Sequence, residues 1–93
     1  MSQKVEWKVI FHGQVQGVGF RATVYHLAIR IGVTGYVRNC PDGTVEMVGQ
    51  APEYLLQQLL EEIREQFGSG YITLEEQKIL PFQQEYPSFQ IVR

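Results

Sequence analysis

The chain has 93 residues, of which 44% are apolar and 19% are charged, and its net charge is −2. This length suits one domain spanning residues 1–93, and the net charge argues against general binding to nucleic acid. The single cysteine, Cys40, excludes an intramolecular disulfide framework, and no apolar run approaches the ~20 residues of a membrane helix. No signal-peptide pattern follows Met1, so we expect a soluble, cytoplasmic protein.

Charge is distributed unevenly along the chain. Residues 1–38 carry a balance of +4, whereas residues 39–93 carry a balance of −6. A positive N-terminal half could concentrate a small anion, while the acidic remainder would repel a long polyanion. The alternative, that most of these charges are simply solvated on the surface, stays open at this point.

The first predicted elements are a strand and a helix. Apolar and polar residues alternate over Val5–His12, which predicts a strand with one apolar face. Apolar residues at helical spacing predict a helix over Phe20–Ile31, and Gly32 is a natural stop for it.

A hairpin is predicted next. The second strand covers about Thr34–Cys40 and the third covers Thr44–Val48. The intervening Pro41–Gly43 favours a tight turn, because proline fixes φ and glycine accepts a positive φ.

The remaining chain predicts a second helix and two strands. Pro52 suits the first helical position, the apolar stripe continues to Phe67, and Gly68 ends it. Strands are predicted over Tyr71–Leu80 and Phe89–Val92. The order is that of an α+β, ferredoxin-like βαββαβ sandwich, with two helices on one face of a mainly antiparallel sheet and a short extra C-terminal strand.

The segment Gly13–Arg21 links the first strand to the first helix. Successive backbone N–H groups in such a turn can converge on an anion, and the helix start adds its positive dipole end. Arg21 would add a permanent charge and a planar fork that matches two phosphate oxygens. The segment lacks the Gly-Lys-Ser/Thr ending of a Walker loop and the third glycine of a dinucleotide fingerprint. From spacing alone, a simple tight turn remains an alternative to an anion site.

Gly13–Arg21 and Gly35–Glu46 together resemble the two signature segments of the acylphosphatase family. Their order and separation both fit, and the resemblance covers nearly the whole chain. It implies a ferredoxin-like hydrolase that cleaves acyl phosphates, the mixed anhydrides of a carboxylic and phosphoric acid, with no metal or organic cofactor. Nothing in the sequence demands an oligomer, a nucleic acid or a membrane as partner.

The resemblance also implies roles for individual residues. Arg21 would bind the phosphate and Asn39 would position the attacking water through its side-chain amide. The hydroxyl of Thr44 would help to hold Asn39. Arg21 would be joined at the phosphate by the backbone amides of Val15, Gln16, Gly17, Val18, Gly19 and Phe20.

Two other functions are weighed against the hydrolase. One is an RNA-binding ferredoxin-like module, since Gly17–Phe20 superficially resembles an aromatic–glycine motif, although that motif lies on an exposed strand. The other is a non-catalytic anion-binding domain like the acylphosphatase-like segment of larger hydrogenase-maturation proteins. His12 and His26 lie on different elements without a third ligand, which argues against a metal site. Arg38 is expected to point away from Asn39, solvated or in an ion pair.

Overall fold

The computed structural model describes residues 3–93, and its elements follow the predicted order. The strands and helices are β1 (Lys4–Gly13), α1 (Phe20–Ile31), β2 (Thr34–Asn39), β3 (Val45–Pro52), α2 (Glu53–Tyr71), β4 (Ile72–Leu80) and β5 (Phe89–Val92). In this part of the chain, no helix is both long and apolar enough to cross a membrane.

The strands form one sheet in the order β4-β1-β3-β2-β5. All neighbouring strands are antiparallel except β2 and β5, which are parallel. Both helices pack on the face that carries Trp7, Val9 and Phe11, and the core lies between them and the sheet. The predicted ferredoxin-like α+β fold is confirmed.

Several boundaries differ from the prediction. β2 ends at Asn39, and β3 runs over Val45–Pro52 because its register with β1 continues to the pair Lys4 and Pro52. Pro52 is extended, with φ −55° and ψ 144°, and so precedes α2 instead of forming its first residue. Gly68 has φ 59° and ψ −169°, which interrupts the helix where a stop was predicted, but a further turn follows before β4.

The connection 81–88 joins β4 at one sheet edge to β5 at the other, and Gln50 of β3 holds it. The Gln50 side chain, only 1% exposed, donates to the carboxylate of Glu6 at 2.8 Å and to the carbonyl of Gln84. Its amide oxygen accepts the backbone N–H of Tyr86 at 2.9 Å. These contacts lie on the sheet face opposite the helices, and they lead the chain to the position where β5 adds beside β2.

Candidate active site

The loop between β1 and α1 is fixed by its two apolar side chains. Val15 and Phe20 are each only 1% exposed. The Phe20 ring centroid lies 5.0 Å from that of Phe11 and 4.8 Å from that of Phe67. Because these side chains point into the core, the loop backbone between them is left at the surface.

Glycine shapes the end of this loop. Gly17 and Gly19 have φ values of 77° and 80°, a region that other residues adopt with strain. Gly19 is the N-cap of α1, which has no side-chain cap and no acidic residue in its first turn. Within residues 3–93, the backbone N–H groups of Val15–Gly19 bond to no protein acceptor. The loop therefore presents unpaired donors beside the positive end of a helix, as an anion site requires.

Arg21 lies in the first turn of α1 and differs from the other basic residues of the N-terminal half. Four of these pair with acidic residues from the C-terminal half: Lys4 with Glu85, Lys8 and Arg38 with Glu46, and Arg30 with Glu62. Among the described residues, Arg21 has no carboxylate partner. Most of the positive charge of the described residues 3–38 is thus neutralised locally, and the basic side chain among them that lacks a carboxylate partner lies at the loop.

A recess of about 180 Å³ opens at this point. Ile91 of β5, 43% exposed, forms an apolar wall opposite the loop. Among the described residues, no acidic side chain lines the recess, so no carboxylate in this wall would repel an anion. The described residues that line the recess are Val15, Gly17, Gly19, Phe20, Arg21, Ala22 and Ile91.

Asn39 is the last residue of β2 and pairs with Val45 of β3. It follows the buried Val37 by two residues, so both lie on the helix-facing side of the sheet. Its side-chain Oδ1 is buried, and in the described structure it has no hydrogen-bond partner. Asn39 does not itself line the 180 Å³ recess. Arg38 points the other way and binds Glu46 at 3.0 Å, which confirms the prediction for Arg38.

The side chain of Gln16 connects the loop to the hairpin that carries Asn39. Its amide nitrogen donates to the carbonyl of Cys40 at 2.8 Å and to the carbonyl of Thr44 at 2.9 Å. From the sequence, a role was predicted only for the backbone amide of Gln16. The partners of its side chain lie 24 and 28 residues further along the chain, and no local pattern indicates such contacts.

The hydroxyl of Thr44 has a different partner from the one expected. It donates to Oδ1 of Asp42 at 2.6 Å, and the Thr44 backbone N–H donates to the same oxygen at 3.0 Å. No hydrogen bond joins Thr44 to the Asn39 side chain in the described residues. These bonds, the hydroxyl's first, lower the pKa of the Asp42 carboxyl. The Asp42-Gly43-Thr44 spacing is typical of such a local turn and could have indicated this contact.

The acylphosphatase family model matches residues 7–91 of this chain. The chain belongs to the acylphosphatase family. An acylphosphatase of Picrophilus torridus is 46% identical over 63 residues, which cover 68% of this chain and 74% of the relative. One from Caldanaerobacter subterraneus is 35% identical over 79 residues, 85% of this chain and 88% of that one. The crystal structure of acylphosphatase from Bacillus subtilis superposes with a TM-score of 0.85 at 30% identity, covering 96% of this chain and 99% of that one.

Neither histidine lines the recess beside Arg21. His12 bonds to Glu76 on the neighbouring strand β4, and His26 is an exposed residue of α1 whose ring packs against Tyr25. In residues 3–93, no cluster of three or more His, Cys, Asp or Glu side chains could hold a metal ion. Phe20, the aromatic residue of the motif that resembles an RNA-binding one, is buried beneath α2 and cannot stack on a base.

Proposed function

We propose that the chain hydrolyses small acyl phosphates where the loop Val15–Phe20 and Arg21 meet the hairpin that carries Asn39. That it is a hydrolase of this class follows from its family. The roles of the individual residues are the proposal. The observation that carries them is the combination of unpaired loop amides with an arginine that lacks a carboxylate partner in the described residues.

The loop and Arg21 would hold the phosphoryl group. Backbone N–H groups and the helix start supply fixed dipoles, and the guanidinium supplies a planar, delocalised positive charge. An acyl phosphate already has a good leaving group in its carboxylate. The remaining work is to place the phosphoryl group and stabilise its charge, which preorganised donors do without reorganising during the reaction.

Asn39 would orient the attacking water. Its buried Oδ1 is an acceptor that no group in the described protein uses, and a buried acceptor left without a partner costs about 1–3 kcal/mol. A water that donates to this oxygen would satisfy it and point a lone pair at the phosphorus atom.

In the proposed step, the water oxygen forms a bond to phosphorus while the bond from phosphorus to the acyl oxygen breaks. One water proton passes to a phosphoryl oxygen, so that the dianionic substrate yields a carboxylate and dihydrogen phosphate. No side chain then needs to act as a base. A pH–rate profile that reveals an essential enzyme base near neutrality would contradict this route.

The proposal extends to the setting of the enzyme. We propose a cytoplasmic monomer that acts on a small molecule without nucleic acid, membrane or metal. The net charge of −2 supports the exclusion of nucleic acid. Sedimentation should give a single species of 10.7 kDa. Turnover should persist with a chelator, and loss that only a metal restores would overturn the cofactor-free proposal.

The deciding experiment measures hydrolysis of benzoyl phosphate and acetyl phosphate by the wild type, Arg21→Ala and Asn39→Ala. Each substitution should lower kcat/KM by at least ~10²-fold, the scale of losing one well-placed electrostatic group. Arg21→Ala should also weaken competitive inhibition by inorganic phosphate, whereas Asn39→Ala should leave that inhibition nearly unchanged.

Arg30→Ala is the matched control, because Arg30 lies at the other end of α1 and pairs with Glu62. It should retain wild-type activity. Full activity in Arg21→Ala or Asn39→Ala would remove that residue from the mechanism. Phosphate binding without any wild-type turnover would favour the non-catalytic anion-binding alternative.

A further inference from the structure

Gln16 lies where the proposed phosphate-binding loop, Val15–Phe20 (the phosphate loop), meets the hairpin formed by β2 and β3. Both N–H groups of its side-chain amide are used, one for the carbonyl of Cys40 and one for that of Thr44. These two residues also bond to each other, since the Cys40 backbone N–H donates to the Thr44 carbonyl at 2.8 Å. Gln16 therefore binds both sides of the hairpin mouth, directly after Asn39.

The sheet topology makes this junction important. The loop follows β1, whereas Asn39 ends β2, and β3 lies between those two strands. Among hydrogen bonds between described residues, the two from Gln16 are those that join the loop segment 14–19 to the hairpin mouth 39–45. Apart from these bonds, the distance between the loop and Asn39 depends on the sheet and the packing beneath it.

We propose that the Gln16 side chain is a positioning residue that fixes Asn39 relative to the phosphate loop. This inference rests on the proposed function, because it assumes that Asn39 orients the attacking water. The backbone N–H of Gln16 belongs to the loop that is proposed to hold the phosphate, whereas its side chain bonds to the hairpin. A side-chain substitution can therefore separate phosphate binding from water alignment.

Gln16→Met tests the proposal, since methionine has a similar length and no donor. Misplacing a reacting group by about 1 Å can cost up to ~10²-fold in rate. We expect kcat for benzoyl phosphate to fall ~10- to 10²-fold, while KM and the inhibition constant of inorganic phosphate change by less than ~3-fold. Gln14→Met is the matched control, because the Gln14 side chain is exposed and makes no hydrogen bond in the described structure. It should retain wild-type kcat.

A double-mutant cycle with Asn39→Ala distinguishes positioning from general damage. If Gln16 acts through Asn39, Gln16→Met should lower kcat by less than ~3-fold once Asn39 has been removed. Equal losses in both backgrounds, or a phosphate inhibition constant raised in parallel with the loss of kcat, would overturn the proposal.

Two further readouts keep the inference testable. Backbone amide resonances of the hairpin mouth should shift in Gln16→Met and stay in place in Gln14→Met. If Gln16→Met does not fold, Gln16→Asn, which is one methylene too short to reach both carbonyls, should show the same selective loss of kcat.

Turnover by the wild type and by Gln16→Met distinguishes a failure of the positioning role from a failure of the hydrolase assignment. A folded wild type with no turnover of either acyl phosphate overturns both. An active wild type that needs Asn39 but tolerates Gln16→Met overturns only the positioning role of Gln16.

Discussion

Individual side chains divide the proposed work between charge and orientation. Arg21 is the basic residue of the N-terminal half that remains without a carboxylate partner in the described structure, and Asn39 offers a buried, unused acceptor. Thr44, expected beside Asn39, instead bonds to Asp42 with both its hydroxyl and its backbone N–H. Thr44 therefore shapes the turn that follows Asn39.

Thr44→Val should separate these two roles. Loss of the hydroxyl removes the largest cause of the lowered Asp42 pKa, so this pKa should rise toward its ordinary value of 3.8 in an NMR titration. Because the pKa of Asp42 is lower in the folded state than in the unfolded state, the ionised carboxylate stabilises the fold at pH values above its unfolded-state pKa. This stabilisation is lost as the pH falls through the folded-state pKa. The variant should therefore lose part of this pH-dependent stability. Because the Thr44 hydroxyl makes no bond to Asn39 in the described structure, kcat/KM should fall less than ~10-fold, below the loss of one well-placed electrostatic group.

Thr73→Val, at an exposed position of β4, serves as the control. A loss of activity as large as that of Asn39→Ala, with the Asp42 pKa unchanged, would show that the Thr44 hydroxyl acts on Asn39 itself.

At the scale of elements, β5 has a larger part in the site than its four residues indicate. It adds in parallel to β2, and Ile91 lies opposite Val37 on the helix-facing side. Its neighbour Gln90 lies opposite Tyr36, on the other face of the sheet. The C-terminal strand thus completes the wall of the recess beside Arg21, whereas the sequence predicted only a short closing strand.

Ile91→Asp should weaken substrate binding by placing a carboxylate in that wall. Two like charges several ångströms apart near a protein surface interact by roughly 1–2 kcal/mol, so KM for acetyl phosphate should rise about 10-fold at low salt. The rise should shrink in 0.5 M NaCl, where charges are screened over a few ångströms.

The companion variant Gln90→Asp puts the same charge on the opposite face of β5 and should leave KM near the wild-type value. Equal effects of the two substitutions would mean that Ile91 does not face the bound substrate.

At the scale of the whole molecule, the sheet face opposite the helices is held by a polar network. Glu46 of β3, 6% exposed, accepts from the Tyr36 hydroxyl at 2.8 Å and from Arg38, and lies 3.6 Å from Lys8. Burial would raise the pKa of Glu46, but the donors and positive charges of Arg38, Tyr36 and Lys8 outweigh it and lower the pKa. Burial and then the Glu46 bond raise the pKa of Tyr36 to about 12. One carboxylate therefore links three strands.

Glu46→Gln should reduce the free energy of unfolding by about 1–2 kcal/mol at pH 7, the scale of weakening buried charge-assisted hydrogen bonds. The pKa of Glu46 in the folded state lies below its ordinary value of 4.5. The ionised carboxylate therefore adds to the free energy of unfolding above pH 4.5, and this contribution is lost as the pH falls through the folded-state pKa. The difference between wild type and variant should therefore narrow below pH 4.5 in urea unfolding measured from pH 3 to 7.

Glu65→Gln, at an exposed position of α2, should leave the unfolding free energy nearly unchanged over the same range. A difference between wild type and Glu46→Gln that stays constant down to pH 3 would contradict a role for the ionised carboxylate.

Much of the fold was predictable because periodicity and turn residues act locally. The apolar spacing gave both helices and the strand order along the chain, and Pro41–Gly43 indicated the hairpin. The errors at the ends of the hairpin strands fall at boundaries set by pairing. β3 extends to Pro52 because β1 pairs with it along that whole length, which no pattern inside Val45–Pro52 reveals.

For the site, the sequence by itself determined the loop, its glycines and the residue types of Arg21 and Asn39. Only the tertiary structure decided which arginine of the N-terminal half lacks a carboxylate partner among the described residues. It also decided that Gln16 bonds to Cys40 and Thr44 and that Ile91 lines the recess. The physical reason is the range of the interactions. Backbone preference and amphipathic spacing depend on residues that are close in the sequence. The partner of a charged side chain or a side-chain amide instead depends on strand order and register across the fold.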